Sequence, residues 1–406
     1  MKVLLVHNFY GSSAPSGENT VFLAERDLLK NRNHEVIEYT RHSDEIRTRG
    51  PIGTVHGALA TPWNPFTLRN LRQILIKEQP DVMHVHNTFP LLSPAIFHSA
   101  RNLKIAVVLT LHNYRVFCAA GIPMRNSIPC TECLDRRWAL PALKYGCYRH
   151  SRLATLPMAM MIELHRRINT WEKHIDAFIA LTGFQKEKLA EAGLPRDRLH
   201  IKPHFYPEPP DPLPFPEREP KVVFIGRLGA EKGLYLLVDA WKMWGDKAPS
   251  LELIGEGPER PGLENRVRDT GMSRKISFQG QLPFSKAQEK LARARLMVLP
   301  TLCYEGFPMA VREAFALGVP VAASGLGSLP FLVEDGKNGV LFTPGDSADL
   351  YKKIKNLWDN PEKLAEIGRN ARIDFEEKYT ADVNYDLLMD IYRTAIDVRH
   401  RRNKFI

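Results

Sequence analysis

Along this chain apolar residues fall into short compact runs, separated by stretches in which they recur at helical spacing. KVLLVHNF reads as a buried strand, GSSAPSGENT as a Gly/Ser loop, TVFLAERDLLKNRN as a helix and HEVIEYT as a strand. DVMHVHN and IAVVLTLHN are again strands, with SPAIFHSARN as a helix between them. Strands alternating with helices predict a parallel sheet covered on both faces. Residues 203–220, PHFYPEPPDPLPFPEREP, then place eight prolines in eighteen positions, a density that excludes both a helix interior and a central strand. Beyond them the pattern restarts: KVVFIGRL, SLELIGEG, KISFQG, ARLMVLP and VPVAASG are strands, and GLYLLVDAWKMW and MAVREAFALG are helices. The reading is α/β, with two doubly wound, Rossmann-like parallel-sheet domains. The expected boundaries are 1–202 for the first domain, 203–220 for a proline-rich linker, 221–380 for the second domain and 381–406 for a C-terminal helix with a basic tail.

Length and composition agree with two soluble-type domains: 406 residues, 44% hydrophobic and 25% charged. No apolar run reaches the roughly 18 residues that span a bilayer. The N-terminal apolar stretch contains His7 and Asn8 and lacks a small-residue cleavage site, so a cytoplasmic protein is expected. The net charge of +10 is uneven. Residues 1–205 hold 27 Lys and Arg against 17 Asp and Glu, whereas residues 206–406 hold 29 of each. The first half therefore either gains solubility from its charge or faces something anionic, such as the inner face of a membrane, a phosphorylated acceptor or nucleic acid. Aromatic residues are not interleaved with the basic ones and no base-reading helix is evident, which argues against nucleic acid.

In open α/β sheets ligands sit outside the carboxyl ends of the strands, so the loops there carry the candidate chemistry. Neither G-x-G-x-x-G nor a Walker A sequence is present, which gives a nicotinamide or ATP reading little support. In GSSAPSGENT, Gly17 permits close backbone approach to a ligand at a helix start. In GRLGAEKG, Arg227 and Lys232 flank a glycine-rich turn, a cradle suited to a pyrophosphate. In YEGFPMAVREAFALG, Glu305 precedes a helix begun by Pro308 and Glu313 lies in its second turn. Carboxylates at two heights suit sugar hydroxyls better than a shared proton, and Phe307, Met309 and Ala310 add backbone N–H groups.

These elements resemble glycosyltransferase family 4, the retaining enzymes of the GT-B fold. The E-x7-E element of that family is similar to Glu305 and Glu313, and G-R-x4-K-G to Gly226, Arg227, Lys232 and Gly233. The N-terminal G-x-E matches at Gly17 and Glu18, and T-x-H at His112. The resemblance implies two domains facing a central cleft, with the C-terminal helix crossing back to the first. It implies a UDP-, GDP- or ADP-linked sugar donor and no catalytic metal. Arg227 and Lys232 would neutralise the diphosphate, Glu313 would hold the ribose, and Glu305 and the N–H groups after it would hold the transferred sugar. Gly17 would approach the diphosphate and His112 the sugar, with the base near Gly280 and Leu282. The implied function is transfer of a hexosyl or related sugar to an acceptor hydroxyl on a glycan or lipid-linked intermediate of cell-surface polysaccharide synthesis. A sugar-nucleotide epimerase or a phosphorylase of the same fold is the alternative. Two departures bear on the donor: Phe331 stands in GSLPF where the family commonly has glutamate, and His204 in KPHFY where asparagine is frequent.

Four of the five cysteines, Cys118, Cys130, Cys133 and Cys147, lie in a loop over 118–147 with one C-x2-C. A structural zinc site, free thiols, or an iron–sulfur or redox use are the open readings, with zinc favoured. Cys303 reads as a packed core thiol. His84 and His86 in MHVHN are expected to face opposite sides of their strand, and so not to chelate one metal together.

Overall fold

The computed structural model describes residues 1–12 and 16–403. Residues 13–15 of the GSSAPSGENT loop and 404–406 of the basic tail lie outside the described residues. The chain divides into two compact units, one of residues 1–123, 131–204 and 384–406, the other of 124–130 and 205–383.

The first unit is built on six parallel strands: β1 (Lys2–Phe9), β2 (Glu35–His42), β3 (Val82–Asn87), β4 (Ala106–Thr110), β5 (Ala177–Ala180) and β6 (Leu199–Ile201). Their order is β2-β1-β3-β4-β5-β6. Positions 3–8 of β1 are all buried, as are all six residues of β3. Burial on both faces is why these strands read as continuous apolar runs rather than alternating ones. The helix Gly17–Asn31 follows β1, with Ser16 as N-cap accepting from the Asn19 N–H. One wall of this core comes from the far end of the chain. Leu388, Met389, Ile391, Tyr392 and Ala395 of the helix Ala381–Asn403 pack with Val3, Leu5, Phe22, Val82 and Val108.

The second unit carries β7 (Glu219–Ile225), β8 (Ser250–Ile254), β9 (Ile276–Gly280), β10 (Ala294–Leu299), β11 (Val321–Ser324) and β12 (Gly339–Phe342), again all parallel. Their order, β9-β8-β7-β10-β11-β12, is the doubly wound arrangement whose direction reverses between β7 and β10. Among the described residues no helix is long and apolar enough to cross a membrane.

Candidate active site

The loops leaving β7 and β10 flank the reversal point of the second sheet, where a crevice opens in such folds. After β7 the chain runs through residues 226–233, with a short 3-10 turn at Ala230–Lys232, into the helix Leu234–Trp244. Gly233 closes that turn at φ +64°, and a Cβ there would lie 2.0 Å from the Pro300 carbonyl oxygen. Only glycine fits both the left-handed backbone and that approach. The two loops are tied together: the Leu302 N–H and the Thr301 hydroxyl donate to the Glu231 carbonyl at 2.8 and 3.0 Å.

At this junction Lys232 Nζ donates to Glu305 Oε1 at 2.5 Å, and the Thr301 hydroxyl donates to the same oxygen at 3.0 Å. Ser328 Oγ fixes the Glu305 carbonyl at 2.7 Å. Burial works against the Lys232 ammonium, but the Glu305 carboxylate, its hydrogen bond and the groups beside it raise its pKa overall. Arg227 stands exposed nearby in sequence and makes no ion pair with a described residue. The loop thus offers one sequestered cation and one free one. Cys303 is buried, which pushes its thiol up to about 12, so it packs as a neutral group.

The helix Met309–Ala316 starts at Pro308 without a side-chain cap, so the N–H groups of Met309 and Ala310 have no acceptor within the helix. Phe307, just before it, is buried with its ring 5.8 Å from that of Tyr379. Glu313 is buried and held on both oxygens, by Gln288 Nε2 at 2.8 Å and by Arg312 at 3.3 Å. Arg312 donates in turn to the Phe205 carbonyl, and burial lowers its pKa. Gly280 ends β9 at φ +69°, its carbonyl accepting from the Gly255 N–H at 2.8 Å, with half-buried Leu282 beyond. Phe331 is 59% exposed. Thr301, Ser328, Gln288 and Arg312 were not anticipated; each orients a glutamate that was.

In the first unit Gly17 and Glu18 open the helix Gly17–Asn31. Asn113 Nδ2 donates to Glu18 Oε1 at 2.7 Å, and burial nonetheless raises the Glu18 carboxyl. His112 follows β4 and has both ring nitrogens engaged, Nε2 at 3.1 Å from His86 Nδ1 and Nδ1 at 3.3 Å from His204 Nε2. Burial, with His204 and His86 beside it, holds His112 well below the usual imidazole range, so it is neutral at pH 7. The expectation that His84 and His86 face opposite sides is corrected. They are two residues apart, and the period of a strand puts such residues on one face. Their rings lie 4.4 Å apart, and both point at Glu25 Oε1, at 3.1 and 3.2 Å. Glu25 is also paired with Lys202 at 2.8 Å, both being almost wholly buried. His84 additionally bonds the Tyr392 and Thr110 hydroxyls, each at 2.8 Å. Burial drives His84 down to about 4.

Of the described residues, only Glu25, His84 and His86 bring three metal-capable donor atoms within 4.8 Å of one another; the cysteines do not. Lys202 sits on Glu25 Oε2 while both rings face Oε1, and His84 is neutral, so the group is a buried Lys202–Glu25 ion pair flanked by two imidazoles. Cys118, Cys130, Cys133 and Cys147 form no disulfide and are half-buried, and burial pushes the Cys118 thiol up to about 11.

Sequence comparison with known families agrees with this geometry. The model of Glycosyltransferase Family 4 matches residues 15–207, and that of Glycosyl transferases group 1 matches residues 207–374. Among curated proteins, the sulfoquinovosyl transferase SQD2 of Arabidopsis thaliana is 35% identical over 167 residues, 40% of this chain and 31% of that protein. The matched segment thus spans about a third of that relative. Two solved structures share the fold across almost the whole chain. Sucrose-phosphate synthase from Thermosynechococcus elongatus has a TM-score of 0.70 at 18% identity, covering 97% of this chain and 98% of its own. HepE of Anabaena, crystallised in complex with UDP, has a TM-score of 0.66 at 16% identity, covering 96% and 99%. Two Rossmann-like units with donor-type loops at the second sheet's reversal point define the GT-B class. The chain belongs to glycosyltransferase family 4.

Proposed function

We propose that the chain transfers a hexosyl or related sugar from a nucleoside diphosphate to an acceptor hydroxyl, with retention at the anomeric carbon. The acceptor in this reading is a glycan or lipid-linked intermediate of surface polysaccharide synthesis, met at the inner face of the membrane. One observation carries it: the loops flanking the reversal of the second sheet knit Lys232, Glu305 and Thr301 together, in the same loop as an exposed Arg227 that makes no ion pair with a described residue. As the donor bond breaks, negative charge grows on the departing diphosphate, and fixed cations stabilise that charge more than they stabilise the ground state. Lys232 is already fixed by Glu305, while Arg227 supplies a second positive group. Glu305, with the Met309 and Ala310 N–H groups, receives sugar hydroxyls. Glu313 keeps lone pairs on both oxygens for the ribose, and its two protein partners hold it still. The base lies along Gly280 and Leu282. Without a protein nucleophile in the reading, the acceptor attacks from the face the diphosphate leaves, and a phosphate oxygen takes its proton. The structural neighbour HepE, solved with UDP, makes UDP the first nucleotide to try.

Thermal shift with UDP, GDP and ADP tests the site. A diphosphate at 100 times its Kd adds roughly 2.7 kcal/mol to the stability of the state that binds it. Failure of all three to raise Tm would sink the reading. NMR of the product then reports the anomer, and an inverted product would remove the front-face step. Turnover of a sugar nucleotide without acceptor would point to the epimerase instead.

A further inference from the structure

The first unit contains a cavity of about 990 Å³ that the donor reading leaves unused. Among the described residues its wall includes Arg47, Arg115 and Arg149 and no carboxylate, Asp44 lying 3.8 Å from Arg47. Arg115 lies with its guanidinium 4.4 Å from the Phe89 ring centroid, and its Nε is buried without a hydrogen-bond partner. A buried donor left unmade is costly, and an anion supplies what is missing. Arg115 also lines the small space beside His112 and Asn113, so it stands between the cavity and those residues.

The rim of the cavity inverts the usual pattern of a surface helix. The helix Gly50–Ala60 turns Gly53, Gly57 and Ala60 inward, leaving Ile52, Val55 and Leu59 outward at 78%, 59% and 73% exposure. The helix Arg152–Arg167 leaves Leu153, Leu156 and Met160 outward at 84%, 41% and 53%. Each triplet follows i, i+3, i+7 spacing, the stripe that a surface helix normally buries. The two helices pack on one another and both line the cavity. Exposed Arg47, Arg49, Arg149 and Arg152 stand at their ends. A soluble anion would explain the arginines and leave both stripes in water. A lipid interface accounts for both, because aliphatic side chains enter the acyl boundary while cations meet the phosphates.

We propose that this cavity takes the phosphate of a membrane-anchored lipid, with the two stripes seated in the headgroup layer of the bilayer. That this lipid is the acceptor rests on the transfer reading above; the binding itself does not. The test is flotation of the full chain with vesicles of phosphatidylcholine alone, with added phosphatidylglycerol, and with an added long-chain polyprenyl monophosphate. Binding should be strongest to the polyprenyl phosphate vesicles. It should fall about 30-fold in R47Q/R149Q, from the loss of two charges at the surface. It should also be lost in I52S/L59S/L153S, which alters only exposed positions. The thermal shift with UDP is run in parallel on every variant; a shift retained in a variant that no longer floats shows a folded protein with its donor site intact. Absence of flotation on all vesicles overturns the proposal. So does equal binding to phosphatidylglycerol and polyprenyl phosphate vesicles with the same fall in R47Q/R149Q on both, which would be surface charge alone. A wild-type dimer that I52S/L59S/L153S converts to monomer in light scattering would assign the stripes to a second copy and overturn it too. Flotation as expected with no response to any nucleotide leaves the lipid site standing and removes the transfer reading.

Discussion

Replacing Lys202 by methionine takes one ammonium out of the interior of the first unit while keeping its approximate bulk. Lys202 Nζ lies 2.8 Å from Glu25 Oε2 and 3.0 Å from Asn384 Oδ1, and the two charged side chains are 2% and 1% exposed. Methionine leaves the Glu25 carboxylate stranded. Breaking a buried pair from one side costs about 3–5 kcal/mol. At about 2–4 °C per kcal/mol for a unit of this size, the first unit should melt about 6–20 °C lower. Burial alone would raise the Glu25 carboxyl, yet Lys202, His84 and His86 hold it well below its ordinary value. A depressed carboxyl stabilises the fold above its unfolded pKa, and that contribution disappears as pH falls through the folded value. In K202M the largest source of the depression is gone. The deficit against wild type should therefore be full where Glu25 is ionised in the variant, and shrink as pH falls from the variant's raised folded value towards the depressed value of wild type. E25Q/K202M, with both charges removed, should recover most of the loss. Urea unfolding of the three proteins across this pH range measures all of it. A K202M within about 1 kcal/mol of wild type, a deficit independent of pH, or a double variant as unstable as the single one would refute the account.

Four further outcomes are expected. R227A and K232A should each lower kcat by about 10²–10³-fold, the effect of removing one fixed charge-stabilising group; unchanged turnover in either would end the diphosphate clamp. G233A forces a Cβ to 2.0 Å from the Pro300 oxygen in left-handed backbone, and should lower stability by at least about 1–3 kcal/mol; a wild-type Tm would show that the loop has room to move. Elemental analysis of protein purified without chelator should find under ~0.2 zinc per chain, since the cysteines are not gathered; a value near one would show that the 118–147 segment closes on metal. The UDP, GDP and ADP melting series should single out one base, and that base should also be the one whose sugar supports turnover.

The two sheets were legible because parallel strands buried on both faces leave unbroken apolar runs such as KVLLVHNF and IAVVLTLHN. The donor loops were legible because their chemistry is local. Gly226, Arg227 and Lys232 sit within one turn, and Glu305 and Glu313 on one loop–helix unit. What holds those glutamates was not, since Gln288 reaches Glu313 across 25 residues and Ser328 reaches Glu305 across 23. No spacing rule connects such positions. The histidines are the instructive case. His7, His84, His86, His112 and His204 lie in or just after β1, β3, β4 and β6, so a parallel sheet brings them to one region. Period two in MHVHN places His84 and His86 on one face, where both rings meet Glu25. The cysteine spacing, conversely, suggested a metal centre that the packing of 118–147 does not assemble.

Tyr392 reaches His84 across a separation of 308 positions, and its neighbours on the same helix wall in β1, β3 and β4. A ribosome therefore releases more than half of this polypeptide before the segment that seals the N-terminal sheet exists. Until then Val3, Leu5 and Val82 have one side bare, so the newborn N-terminal half is a natural client for chaperones, and a C-terminal truncation short of Tyr392 would injure the beginning of the protein rather than its end.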